Sequence, residues 1–271
     1  MTIKILNPER ILRAPKAIIF DTDNTLYAYD YPHQRATAAA EDKAVRLLGV
    51  DAASVRSAFV QAREEVKRQL GKTASSHSRL LYFQRGIEIL GRKTQLVITL
   101  DLEQTYWRTF LSHCELFPGV REFLTALRSS GISTATITDL TSQIQFRKLI
   151  YFGLDDCFDY VVTSEEAGAD KPQEASFRLA IEKLGVAPDQ IWMIGDHPVN
   201  DIAGAHPFGI ATFLRLDRVP SLSAAQAGCD VMFDDFHELQ RYFYSGKLEG
   251  IPGSQRKPQH AGGHLAATAV E

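Results

Sequence analysis

Hydrophobic and polar positions along this chain follow two different rhythms. Ala17, Ile18, Ile19 and Phe20 form a short, unbroken apolar run rich in β-branched residues, the mark of a strand buried on both faces. From about Tyr31 to His113 no convincing strand recurs. Apolar residues there return at helical spacing, as at Val55, Phe59, Ala62 and Val66, and predict four helices over about Pro32–Leu48, Ala52–Leu70, Ser76–Leu90 and Thr94–Leu111. Gly49, Gly71 and Gly91 stand near their ends, where a left-handed residue stops a helix.

Beyond Leu116 the first rhythm returns, now alternating with amphipathic segments. ISTATIT, YVVTS, IWMIGD and IATFLRL read as strands. FPGVREFLTALRSSG reads as a loop and helix, and SQIQFRKLIYFG, QEASFRLAIEKLG and DIAGAHPFG as helices. A weaker strand, DVMFDD, and a helix around His237–Tyr244 close the series. Short apolar strands alternating with helices predict an α/β fold, a Rossmann-like parallel sheet with helices on both faces. Into it an all-helical segment is inserted after the first strand. The expected boundaries are 1–28 and 114–246 for the α/β core and 29–113 for the helical insert. The segment 247–271 is rich in Gly, Pro, Gln and Ala, lacks aromatics, and reads as a flexible C-terminal tail.

Composition narrows the partners. With 45% hydrophobic and 23% charged residues and a formal net charge of −3, the chain has an ordinary globular profile and no basic excess to bind nucleic acid or a membrane surface. The N-terminus is too charged for a signal peptide, and no apolar run approaches membrane-spanning length. Cys114, Cys157 and Cys229 are odd in number and widely spaced, which suits a reducing, cytoplasmic setting better than a disulfide framework.

In open parallel sheets, ligands bind beyond the carboxyl ends of the strands. The residues there form a set. Asp21 and Asp23 follow the first strand; Thr138 and Asp139 follow ISTATIT; Lys171 lies in the loop after YVVTS; Asp196 and Asp201 follow IWMIG. Clustered carboxylates repel one another, so they imply a hard cation, most simply Mg²⁺. A carboxylate can attack phosphorus to give an aspartyl-phosphate, and a second one can protonate the leaving oxygen and later activate water. Thr138 and Lys171 would hold phosphoryl oxygens. The plainer readings are an Asx turn for Asp21 and Asp23, a solvated lysine for Lys171, and a helix N-cap for Asp201.

The ordered set DTDNT, TD, the lysine of GADKP, and GDHPVND resembles the four motifs of the haloacid dehalogenase (HAD) superfamily, over almost all of Lys16 to Leu216. The helical material between the first two motifs looks like that superfamily's C1-type cap. The stretches around them look like its small-molecule phosphatases, with N-acylneuraminate-9-phosphatase and nucleotide phosphatases among the relatives. The resemblance implies Asp21 as nucleophile and Asp23 as general acid/base, with Asp23 lending its backbone carbonyl to Mg²⁺. It implies Asp21 and Asp196 as the metal's carboxylate ligands, Asp201 behind them, and Thr138 and Lys171 on the phosphate. Asn24 and Thr25 would shape the loop. Two positions depart from the most familiar pattern: Asp139, where many relatives carry Asn, and His197, which follows Asp196.

The expected activity is Mg²⁺-dependent hydrolysis of a small phosphorylated metabolite (a sugar phosphate, nonulosonic acid phosphate or nucleotide), by a monomer or homodimer. A phosphomutase, or a non-catalytic binding protein on the same scaffold, is the alternative. The presence of Asp23 counts against a dehalogenase or a phosphonate hydrolase. Tyr27, Tyr29 and Arg35, just after the first motif, are candidates for substrate specificity, the tyrosines by stacking and the arginine by pairing with a carboxylate. The tyrosines could equally pack the hinge between cap and core.

Overall fold

A computed structural model describes residues 3–216, 228–246 and 248–250. Its strands are β1 (Lys4–Ile5), β2 (Ala17–Phe20), β3 (Ser133–Thr138), β4 (Tyr160–Thr163), β5 (Ile191–Gly195), β6 (Ala211–Arg215) and β7 (Val231–Phe233). They form one sheet in the order β1-β7-β6-β5-β2-β3-β4, parallel throughout except for β1 at the edge. Its helices are α1 (Asp30–Leu48), α2 (Ala52–Leu70), α3 (Arg79–Ile89), α4 (Leu96–Ser112), α5 (Val120–Ser129), α6 (Ser142–Tyr151), α7 (Ser164–Ala167), α8 (Glu174–Leu184) and α9 (Phe236–Phe243). Helices α1 to α4 all lie between β2 and β3 in the chain, as the helical stretch of the sequence requires.

The unbroken apolar run of β2 follows from its central place. Ile18 and Phe20 point into one hydrophobic cluster, and Ala17 and Ile19 into the cluster on the other face. Trp192 and Ile194 against Ile191 and Met193 repeat this alternation on β5. Within the insert, Ala36, Ala40, Ala44 and Leu48 form a small-residue stripe on α1, buried together with Leu102, Tyr106 and Phe110 of α4. On α2 the predicted stripe Val55, Phe59, Ala62 and Val66 is buried. Gly86 lets α3 approach it: a Cβ there would stand 2.3 Å from the Phe59 ring. The insert and core share one continuous hydrophobic cluster, so the cap sits down on the sheet edge.

Three details differ from the sequence-based expectations. The short N-terminal strand β1 was not anticipated; two residues carry too little pattern to read. The DIAGAHPFG segment is instead the end of a wide π-helical turn over Pro198–Ala203, followed by a 3₁₀ turn over His206–Phe208, with a proline in the first turn of each piece. The tail does not begin at 247. Leu248 is buried in the core cluster, and Glu249 exchanges backbone hydrogen bonds with Leu12 and Ala14; the remaining tail positions, 247 and 251–271, lie outside the described residues. No described helix is long and apolar enough to cross a membrane.

Candidate active site

Register places the site. Phe20 of β2 is level with Thr136 of β3 and Ile194 of β5, so the residues leaving these strands emerge side by side. Asp21 prolongs the ladder, its N–H donating to the Ile194 carbonyl at 2.9 Å. The chain then turns sharply. Asn24 sits at φ 59°, a left-handed conformation that asparagine tolerates, and its side chain accepts from the Tyr29 N–H at 2.9 Å. Thr25 donates to Asp21 Oδ2 at 2.9 Å and holds the carboxylate in place, while Asn24 shapes the turn.

Lys171 lies at the centre of the acidic group. Its ammonium donates to Asp21 Oδ1 at 2.5 Å, to Asp201 Oδ1 at 2.7 Å and to the Ile137 carbonyl at 3.0 Å, using all three protons. The side chain is 3% exposed, so this pairing is what makes its burial tolerable. Asp139, one of the departures from the expected pattern, accepts from the backbone N–H of Lys171 at 2.9 Å and so fixes the lysine's loop. Thr138 shares a hydrogen bond of 2.8 Å with Thr22 and accepts from Gln145 Nε2 at 2.7 Å.

Asp21, Asp196 and Asp201 bring one oxygen each within 4.8 Å of the others. Gly195 makes this possible, since a Cβ there would stand 2.4 Å from Asp201 Oδ2. Asp201 is not the N-cap envisaged from sequence. The turn starts earlier, and His197 caps it by accepting from the N–H groups of Val199 and Asn200, while Asp201 Oδ2 accepts from the His197 N–H at 2.9 Å. Asp196 forms no ion pair among the described residues. Burial, and then the Asp201 charge, push its carboxyl up to about 7. Burial and the same crowding hold Asp21 well above the ordinary carboxylate range, against the opposing pull of Lys171. The donor set is all oxygen and over-supplied with negative charge, which fits a small hard divalent cation.

Asp23 stands apart from this cluster. Tyr27 donates to its Oδ1 at 2.5 Å, and Lys148 Nζ lies 2.8 Å from Oδ1 and 3.1 Å from Oδ2. Lys148 escaped the sequence reading. It is 1% exposed, and its charge is ringed by Tyr27, Tyr29, Trp107 and Phe110, with centroids 5.4–5.9 Å away. A signal existed: it occupies the buried stripe of α6 with Ile144, Gln145 and Leu149, where a lysine needs a reason.

Of the proposed specificity residues, Tyr29 lines a cavity of about 400 Å³ between cap and core. Tyr27 does not. It is wholly buried and grips Asp23. Arg35 is exposed on α1 and is not part of that cavity wall, because the buried stripe through Ala36 turns it outward. A larger hollow, about 980 Å³, lies at the opposite end of the sheet among strand starts such as Lys16, Ser133 and Ala211, away from this chemistry.

Residues 15–209 match the family model described as haloacid dehalogenase-like hydrolase. A ribulose-1,5-bisphosphate 5-phosphatase of Halopiger xanaduensis is 39% identical over 199 residues, 73% of this chain and 83% of the relative. A glyceraldehyde 3-phosphate phosphatase of Methanopyrus kandleri is 28% identical, over 73% of this chain and 82% of its own length. Among solved structures, a HAD hydrolase of Bacillus subtilis bound to magnesium superposes with a TM-score of 0.60 at 19% identity, covering 85% of this chain and 99% of that one, a likeness of fold. The chain belongs to the haloacid dehalogenase-like hydrolases and is one of their phosphatases.

Proposed function

We propose that this phosphatase is Mg²⁺-dependent and hydrolyses a small sugar phosphate through an aspartyl-phosphate on Asp21. The carrying observation is the division of labour among the strand-end carboxylates: Asp21 lies against Lys171 beside Asp196 and Asp201, whereas Asp23 is held separately by Lys148 and Tyr27. Asp21 and Asp196 would hold the metal, with Asp201 braced behind them by Lys171 and His197. When bound, the cation supplies positive charge to the crowded carboxylates and to the phosphoryl oxygens.

The chain's own residues then account for two half-reactions. A carboxylate oxygen of Asp21 bonds to phosphorus as the ester P–O bond breaks, and Asp23 gives its proton to the departing alkoxide. Asp23 next takes a proton from water as the water oxygen attacks the same phosphorus. The acyl-phosphate P–O bond breaks, inorganic phosphate leaves and Asp21 is restored. Lys171 and Thr138 offset the charge on the transferring group. The named relatives move the expected substrate toward phosphorylated sugars and away from N-acylneuraminate and nucleotides.

The test is phosphate release from a panel of metabolites with Mg²⁺ and with EDTA, led by ribulose 1,5-bisphosphate and glyceraldehyde 3-phosphate. Metal-dependent release from a sugar phosphate is expected. Release indifferent to EDTA overturns the metal's role. Isomerised sugar phosphate without release makes the protein a mutase.

A further inference from the structure

The cavity between cap and core gathers a group of cations that the hydrolytic reaction does not use, with Asp30 of α1 the one carboxylate among the cap residues lining it. On its cap side stand Arg63 and Lys67 of α2 and Arg79 at the start of α3, and none of them forms an ion pair with a carboxylate among the described residues. Arg79 is fixed in place. It donates to the Tyr29 hydroxyl and the His77 carbonyl, and its guanidinium lies over the rings of Tyr82, Tyr106 and Trp107. Its Nε is buried with no hydrogen-bond partner. What carries to the cavity is its charge: a guanidinium held rigidly on the wall beside two more cations favours an oxyanion.

Neighbouring groups register the same field. Burial, and then the charges of Arg63 and Arg79, lower Lys67 from the usual lysine range; burial, and then the same two arginines, pull His33 down to about 4. Asp170 opposes this lowering at Lys67 only in part, so the crowded like charges on this wall still favour a further anion. Asp23, Asn24 and Asp139 line both this cavity and the cleft around Asp21, Lys171 and Asp196. At the far side, His77 Nε2 lies 3.0 Å from Asp170, next to Lys171, so the cap tip touches the catalytic loop and encloses the space. About 400 Å³ is ample for a sugar carrying two phosphates.

We infer that Arg63, Lys67 and Arg79 form a second anion subsite, and that the substrate is a sugar bisphosphate whose second phosphate docks on the cap while the first is cleaved at Asp21. The inference rests on the phosphatase reading for the second clause only. Three cations match a phosphate dianion better than a single carboxylate.

The test compares ribulose 1,5-bisphosphate, ribulose 5-phosphate and 3-phosphoglycerate, in the wild-type chain and in Arg63→Gln, Lys67→Gln and the double variant. For the wild type, kcat/KM for the bisphosphate should exceed that for the monophosphate by on the order of 10-fold or more, and the double variant should bring the ratio close to one, chiefly through KM. A wild-type preference for 3-phosphoglycerate over the bisphosphate would assign the subsite to a carboxylate and overturn the bisphosphate reading. Equal ratios in wild type and variants would overturn the subsite itself. Calorimetric titration of the same three compounds into Asp21→Asn protein separates the two readings. If nothing is hydrolysed but the bisphosphate still binds more tightly, and does so through Arg63 and Lys67, the subsite stands and the phosphatase reading fails. Equal affinities for mono- and bisphosphate remove the subsite whatever the catalysis.

Discussion

The two walls of the cleft carry opposite charge and are built in opposite ways. On the core wall, Asp21, Asp139, Asp196 and Asp201 gather round Lys171, whose ammonium pairs with Asp21 and Asp201; Asp21, Asp139 and Asp196 each stand directly after a strand, and Asp201 in the turn that follows β5. On the cap wall, Arg63, Lys67 and Arg79 project from helices, and their position depends on how four helices pack. Sheet register fixes the places of the residues that leave β2, β3 and β5 on the core wall. The cap wall can be rewritten by changing a helix surface and leaves the reacting atoms alone.

The sharpest test of the core wall is Asp21→Asn. The change is nearly isosteric, so the fold should persist by circular dichroism, while turnover should fall by roughly 10⁴-fold or more because the amide is no nucleophile. Asp23→Asn should cost roughly 10²–10⁴-fold, with slower breakdown of the phosphoenzyme in single-turnover experiments. Full activity in Asp21→Asn would remove that residue from the mechanism and dissolve the contrast between a reacting wall and a recognising one.

Lys148 is where the walls meet, and it gives a smaller, more diagnostic effect. Three of the four rings around its charge, Tyr29, Trp107 and Phe110, come from the inserted segment, while its ammonium grips Asp23 on the core side. Seating the cap thus positions Asp23, the proposed acid. Lys148→Met keeps the packing volume and removes the grip, so kcat on a sugar phosphate should drop on the order of 10- to 100-fold. With p-nitrophenyl phosphate, whose leaving group needs little protonation, the loss should be several-fold smaller. Equal losses on both substrates would make Lys148 a structural cation only.

This division also explains what could be read in advance. The meeting of Asp21, Thr138 and Asp196 was legible because apolar strands announce their own ends, and the residues there must share an edge; Lys171, past β4 and the short helix α7, was legible from its loop and the motif around it. Lys148 was not, since a lysine within an amphipathic helix reads as solvent-facing until the buried stripe through Ile144 and Leu149 is traced onto a neighbour. Arg63 and Lys67 looked like ordinary polar-face residues of α2, and only the docking of α3 and the 3₁₀ turn at Ala74–His77 shows what they face. Arg35 and Tyr27, expected from sequence to meet the substrate, lie off the cavity wall for a related reason. Proximity in sequence to the first motif does not say which way a side chain points once α1 has packed its alanines inward.

The smallest effect concerns stability rather than catalysis, and it reads the burial of a cap residue together with the cap's positive field. His33 stacks on Tyr29, its Nδ1 lies 2.6 Å from the Tyr106 hydroxyl and 3.5 Å from that of Thr37, and Arg63 and Arg79 share the cavity wall with it. Burial and those arginines bring its folded value down to about 4, so the folded state refuses a proton that the unfolded chain accepts near the ordinary 6.5. Above that ordinary value both states are neutral and nothing is lost. As pH falls from there toward 4, the unfolded chain binds the proton first, and folding stability declines. Between pH 7 and pH 5 the loss should be about 1 kcal/mol, allowing for the ring's partial exposure. Urea titrations at the two pH values should show that His33→Gln declines less steeply than the wild type by that amount. Arg63→Gln should show an intermediate slope, since removing one cation relaxes the field without relieving the burial. An Arg63→Gln slope equal to that of the wild type would mean that burial alone keeps the proton off His33, and the contrast between the two walls would lose its electrostatic basis.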